Sequence, residues 1–126
     1  MLIFTTWRSR QQGKPGRAGG PNLWRQWVRD PRAMRWLVRD EDVLGPRDIG
    51  VVEGWADTQS EWGLHVRLHD GAAGSPQVVE VFGPDMVEPH VLVYRVGDGF
   101  QVDEAHGASR CFAGMAEALD FVAEYT

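Results

Sequence analysis

The chain has 126 residues, 43% of them hydrophobic and 25% charged. That is an ordinary globular composition, which excludes the collagenous, disulfide-built and disordered classes and fits a single domain. No apolar run approaches the ~18 residues a membrane span needs, and Met1-Leu2-Ile3-Phe4 is too short for a signal-peptide core. A cytoplasmic protein without a membrane partner is therefore expected. Cys111 is the single cysteine, so neither an intrachain disulfide nor a zinc site built on several thiolates can form.

The net charge of −5 is split along the sequence. Residues 1–39 hold nine cations and one carboxylate, Asp30, whereas the remaining 87 residues hold four cations and seventeen carboxylates. Such asymmetry suits either a basic arm for nucleic acid or a basic segment folded back on an acidic body. Residues 9–20 contain four glycines and a proline and no large apolar side chain, too little to offset the entropy of ordering them. The expected organisation is a flexible basic arm over residues 1–21 followed by one domain over residues 22–126. A second division starts the compact unit at Met34, so that it spans residues 34–126 and residues 1–33 are upstream sequence without a function.

Asn22 is a good helix N-cap, and Leu23, Trp24, Trp27 and Val28 follow at helical spacing, which predicts a short helix over residues 22–29. Asp30-Pro31 then reads as a cap and first-turn proline launching a second helical stretch toward Arg39, with a strand over residues 34–39 as the rival reading. If helical, Arg25, Arg29, Arg32, Arg35 and Arg39 form one stripe that could follow a phosphate backbone or simply face water.

Residues 48–57 and 61–70 alternate apolar and polar, which predicts a hairpin turning at Thr58-Gln59. In that register Trp55 faces Trp62 and Val51 faces Val66 on an apolar face that also carries Glu53. Residues 77–82, 90–96 and 100–105 read as three further strands. In the hairpin formed by the last two, a three-residue loop with a left-handed Gly99 places Leu92, Tyr94 and Val96 on one face with Phe100, Val102 and Glu104. From Met115 onward, Met115, Ala118, Leu119 and Val122 form a helical apolar stripe, with Gly114 as N-cap and Glu117 in the first turn. The fold class expected is α+β: an antiparallel sheet of about five strands, one C-terminal helix packed on it, and a short N-terminal helical segment.

Chemistry-bearing motifs are sparse. His65 and His69 have the H-x-x-x-H spacing, but on a strand they stand roughly 13 Å apart, too far to share a metal. No metal or cofactor is expected. Glu53 on an apolar face is the one candidate general acid or base, because burial would raise its pKa. No serine lies in a nucleophile elbow, no phosphate-binding glycine loop is present, and Cys111 beside Phe112 reads as a packed thiol. Six tryptophans are the distinctive compositional feature, serving as core, as interface anchors or as stacking platforms.

Three functions follow as expectations. The first is a non-enzymatic binding module that works through an uncovered sheet face bearing Trp55, Trp62 and Glu53, with a protein partner or a second copy of itself. The second is nucleic-acid binding through the basic arm with Trp24, Trp27, Arg25, Arg29 and Arg32. The third is an enzyme using Glu53.

Overall fold

The computed structural model describes residues 17–18, 20–30, 32, 38–39, 41–71 and 74–125. The second helical stretch or strand expected after Asp30, with Arg35 and Trp36, lies mostly outside the described residues, as does most of the basic arm.

The architecture is α+β. An antiparallel sheet runs in the order β1-β6-β5-β4-β3-β2, where β1 is Arg17–Ala18, β2 His65–Asp70, β3 Pro76–Phe82, β4 Val91–Val96, β5 Gly99–Glu104 and β6 Ser109–Phe112. Among the described residues three helices flank it: α1 Trp24–Arg29, α2 Pro46–Gln59 and α3 Met115–Tyr125, with a 3-10 turn at Ser60–Trp62. None of these helices is long and apolar enough to cross a membrane.

The principal correction concerns residues 46–62. The expected first strand is helix α2, and Trp55 and Trp62 are not a cross-strand pair. The helix has a physical cause that the alternating pattern concealed. Pro46 occupies the first turn, where its missing N–H costs nothing, and Asp48 Oδ2 accepts the Gly45 amide at 3.0 Å. Ile49, Val52, Trp55 and Ala56 fall on one helical face, and Val52 is fully buried. Glu53 therefore points outward and is exposed. The burial that an acid–base role required is not there.

The hairpin of β4 and β5 also differs by one residue from its expected register. Tyr94 pairs with Gln101, Val93 with Val102 and Leu92 with Asp103. The loop is only Gly97-Asp98, and the positive φ of 60° falls on Gly97 rather than Gly99, as a glycine-first two-residue turn requires. That slip moves every β5 side chain to the other face. Strand β6, unrecognised in the sequence, replaces the strand lost to α2 and keeps the main body of the sheet at β2–β6.

One sheet face carries Val79, Val81, Val91, Val93, Phe100 and Val102, buried beneath α2 and α3 through Leu44, Val52, Met115, Ala118, Leu119 and Val122. The opposite face, which the hairpin scheme left open, has its own cover. There Leu23, Trp24, Trp27 and Val38 pack on Val78, Leu92 and Tyr94. At about 1.5–3 kcal/mol per large buried side chain, this second layer is a substantial part of the fold.

Candidate functional site

Two places concentrate polar or exposed chemistry. The first lies under the N-terminal segment, where two buried carboxylates sit on the sheet face that also carries Arg67, His69 and Gln101. Asp103 on β5 is 0% exposed, and four donors satisfy it. Its Oδ2 accepts from the Leu23 amide at 2.8 Å and the Tyr94 hydroxyl at 2.7 Å. Its Oδ1 accepts from Gln101 Nε2 and Ser109 Oγ, each at 2.8 Å. Burial, followed by the neighbouring Asp103 charge, pushes the Tyr94 phenol far above its ordinary range, which keeps it a donor. Gln101 extends the network by accepting from the Gly20 amide at 3.1 Å and donating to the Pro21 carbonyl at 3.0 Å.

Glu80 on β3 plays the same part under α1. Trp27 Nε1 donates to its Oε2 at 2.7 Å, Arg67 Nε donates to its Oε1 at 2.9 Å, and His69 lies against that same oxygen. The Trp27 and His69 rings meet edge to face, with centroids 4.9 Å apart. Trp24 Nε1 donates to the Pro89 carbonyl at 2.6 Å, and the Asn22 amide donates to the Glu104 carbonyl at 2.9 Å. These donors and acceptors satisfy one another, apart from His69 Nε2, which meets Glu80 without hydrogen-bond geometry. The cluster fastens the N-terminal segment to the sheet, with Glu80 and Asp103 as its anchors. Trp24 and Trp27 are thus buried in the chain's own second core rather than offered to bases.

His65 stacks on Phe82 with centroids 4.9 Å apart, and the Arg67 guanidinium lies 5.1 Å from the same ring. Among the described residues no group of three or more His, Cys, Asp or Glu side chains could hold a metal ion. Arg25 and Arg29 are exposed one turn apart on α1, and exposed Arg32 pairs with Asp30 at 3.5 Å.

The second place is a groove at the far end of the helical layer. It has a volume of about 800 Å³ and is lined by Gln59, Trp62, Leu64, Gly83, Pro84, Met86, His90 and Ala123. Three elements separated in sequence build it: the end of α2 with its 3-10 turn, the connection from β3 to β4, and α3. Gly63 holds the first against the second. Its φ is +83°, and a Cβ there would stand 2.7 Å from Pro84 Cγ, so only glycine fits both the left-handed backbone and the close approach. Two of the lining side chains are apolar and exposed, Trp62 at 72% and Met86 at 42%, and Val87, next to Met86 in sequence, is 93% exposed. Burial lowers the His90 imidazole below its ordinary 6.5 and keeps the groove wall uncharged at neutral pH.

Of the residues singled out in the sequence, Trp62 reaches this groove, Trp55 packs on the main core, and Glu53 stands on the outer side of α2. The sequence reading assigned no role to Met86 and Val87, which lie between two expected strands, and took His90 as the first residue of the strand over residues 90–96, which begins instead at Val91. The one signal was the unusual placement of Met86-Val87 between Pro84 and Pro89, where no periodic element can bury them. Comparison with protein-family models, with curated proteins and with solved structures returns no match for this chain.

Proposed function

We propose that the protein is a non-enzymatic binding module whose groove at Trp62, Met86 and His90 takes an apolar side chain from a segment of a partner protein. The observation that carries this reading is the exposure of Trp62. A chain this small gains much of its stability from bulky rings, yet it leaves one indole 72% accessible at the mouth of a groove. Exposed Met86 lines the same groove with exposed Val87 beside it in sequence, and grouped exposed apolar residues of this kind mark interaction surfaces. Tryptophan is also among the residues that most often dominate binding energy at interfaces. The carboxylates and imidazole under the N-terminal segment support no competing active site, because they are engaged in holding that segment.

Peptides selected from a random display library against the full chain test this directly. The expected result is that selected peptides carry a large apolar residue, shift the NMR signals of Trp62, Leu64 and Met86, and bind the Trp62→Ala variant at least tenfold more weakly, the equivalent of about 1.4 kcal/mol. Equal binding to Trp62→Ala, or shifts elsewhere, would remove the groove from consideration. A second reading, nucleic-acid binding, draws support from the exposed Arg25 and Arg29 on α1. It requires an affinity for single-stranded oligonucleotides that falls steeply from about 50 to 200 mM salt and that Arg25→Ala/Arg29→Ala weakens.

A further inference from the structure

We infer that the segment received by the groove is cationic, with lysines or arginines flanking one apolar anchor. The inference rests on the groove reading above and concerns the charge around it. Each of the three chain segments that build the groove is acidic. Asp57 and Glu61 stand on the end of α2 and its 3-10 turn, Asp85 and Glu88 on the connection from β3 to β4, and Glu117, Asp120 and Glu124 on α3. All seven are exposed, and residues 57–64, 83–90 and 115–125 contain no lysine or arginine. No ion pair among the described residues uses any of the seven. Some carboxylates elsewhere on the chain do have cationic neighbours: Asp48 pairs with Arg95, Glu104 with Arg110 and Glu80 with Arg67.

An apolar groove built from chain segments that carry one sign of charge selects its occupant twice. Burial of an anchor against Trp62 and Met86 supplies affinity, while the surrounding field attracts a cationic segment and repels an acidic one. A neutral apolar segment would gain the first contribution without the second.

The test uses the full chain and three short synthetic peptides: an apolar anchor flanked by lysines, the same anchor flanked by glutamates, and serine in place of the anchor flanked by lysines. Calorimetric titration is made at low and moderate salt, with Trp62→Ala and Glu61→Gln/Asp85→Asn/Asp120→Asn as variants. The lysine-flanked anchor should bind best. Its affinity should drop about tenfold between roughly 50 and 300 mM salt, and it should fall by a similar factor in the triple variant. Trp62→Ala should weaken both anchored peptides.

If glutamate-flanked and lysine-flanked anchors bind equally and both depend on Trp62, the charge inference falls while the groove reading survives. If the lysine peptide binds regardless of Trp62 or of its anchor, the attraction is diffuse and both fall, as they do if no peptide binds. Light scattering of the chain alone completes the test: self-association abolished by Trp62→Ala would make a second copy the occupant and overturn the inference.

Discussion

Asp103 shows how a single buried carboxylate can organise a segment eighty residues away in sequence, since one of its oxygens accepts the Leu23 amide. The bonds it accepts leave no donor around it unsatisfied, so replacing it strands several at once. Asp103→Ala is expected to cost about 3–5 kcal/mol, measured by urea denaturation. Trp27→Phe keeps an aromatic ring but loses the bond to Glu80, and should cost roughly 1.5–3 kcal/mol. Combining it with Glu80→Gln should cost less than the sum of the single changes, a double-mutant cycle that isolates the indole–carboxylate contact.

His90 provides the pH dependence at this scale. Its folded pKa lies below the ordinary 6.5, so on acidification the unfolded chain takes up the proton first. Stability is therefore full above about 6.5 and declines below it. Denaturation midpoints for the native chain should fall between about pH 7.5 and 5.5, and His90→Phe should flatten that decline. Glu104 acts with the opposite sign: burial raises its pKa, so its cost is relieved as pH falls through the raised value. The two contributions are separable by comparing the single variants. Glu80 and Asp103 were not singled out in the sequence, because nothing local indicates which donors will meet a carboxylate within a strand.

Among the elements, α3 was legible almost to the residue, because Met115, Ala118, Leu119 and Val122 repeat with helical spacing and are all buried. Strands β3, β4 and β5 were legible from their apolar runs and bounding glycines and prolines. Helix α2 was not. Ile49, Val51, Glu53 and Trp55 satisfy period two, while Ile49, Val52, Trp55 and Ala56 satisfy the helical period, and the same letters serve both. Gly50 and Gly54 lower the helix propensity of this stretch. In the helix they face open space, and a Cβ at either position meets nothing within 4 Å. Both glycines therefore weaken α2 without a packing reason. Gly50→Ala and Gly54→Ala should each stabilise the protein by about 0.5–1 kcal/mol, read as a rise in thermal midpoint. A loss of stability would show that the outer side of α2 is covered. The signal that could have settled α2 was Pro46 followed by Asp48, a helix opening rather than a strand opening.

At the scale of the whole molecule, the sheet has a layer on each face, and the second layer is supplied by residues 20–30 together with Val38. A chain beginning at Met34 would lack Leu23, Trp24 and Trp27 and would expose Val78, Leu92 and Tyr94. With a total stability of about 5–15 kcal/mol for an ordinary domain, that removal is expected to abolish a cooperative thermal transition and increase binding of a hydrophobic dye. The fold class was legible because it needs only element types and their order. The groove was not, since it arises where residues near positions 60, 86 and 123 converge, and such convergence is a property of packing.

The same layering separates charge through the thickness of the molecule: Arg25 and Arg29 are exposed on α1 on one side, and Glu53, Asp57, Glu117, Asp120 and Glu124 are exposed on α2 and α3 on the other. Adsorption to a solid support should therefore be oriented. A cation-exchange bead would hold the molecule by its arginine side and leave Trp62 facing the bulk solution, whereas an anion-exchange bead would press the indole's surroundings against the matrix and shield it from a diffusing quencher.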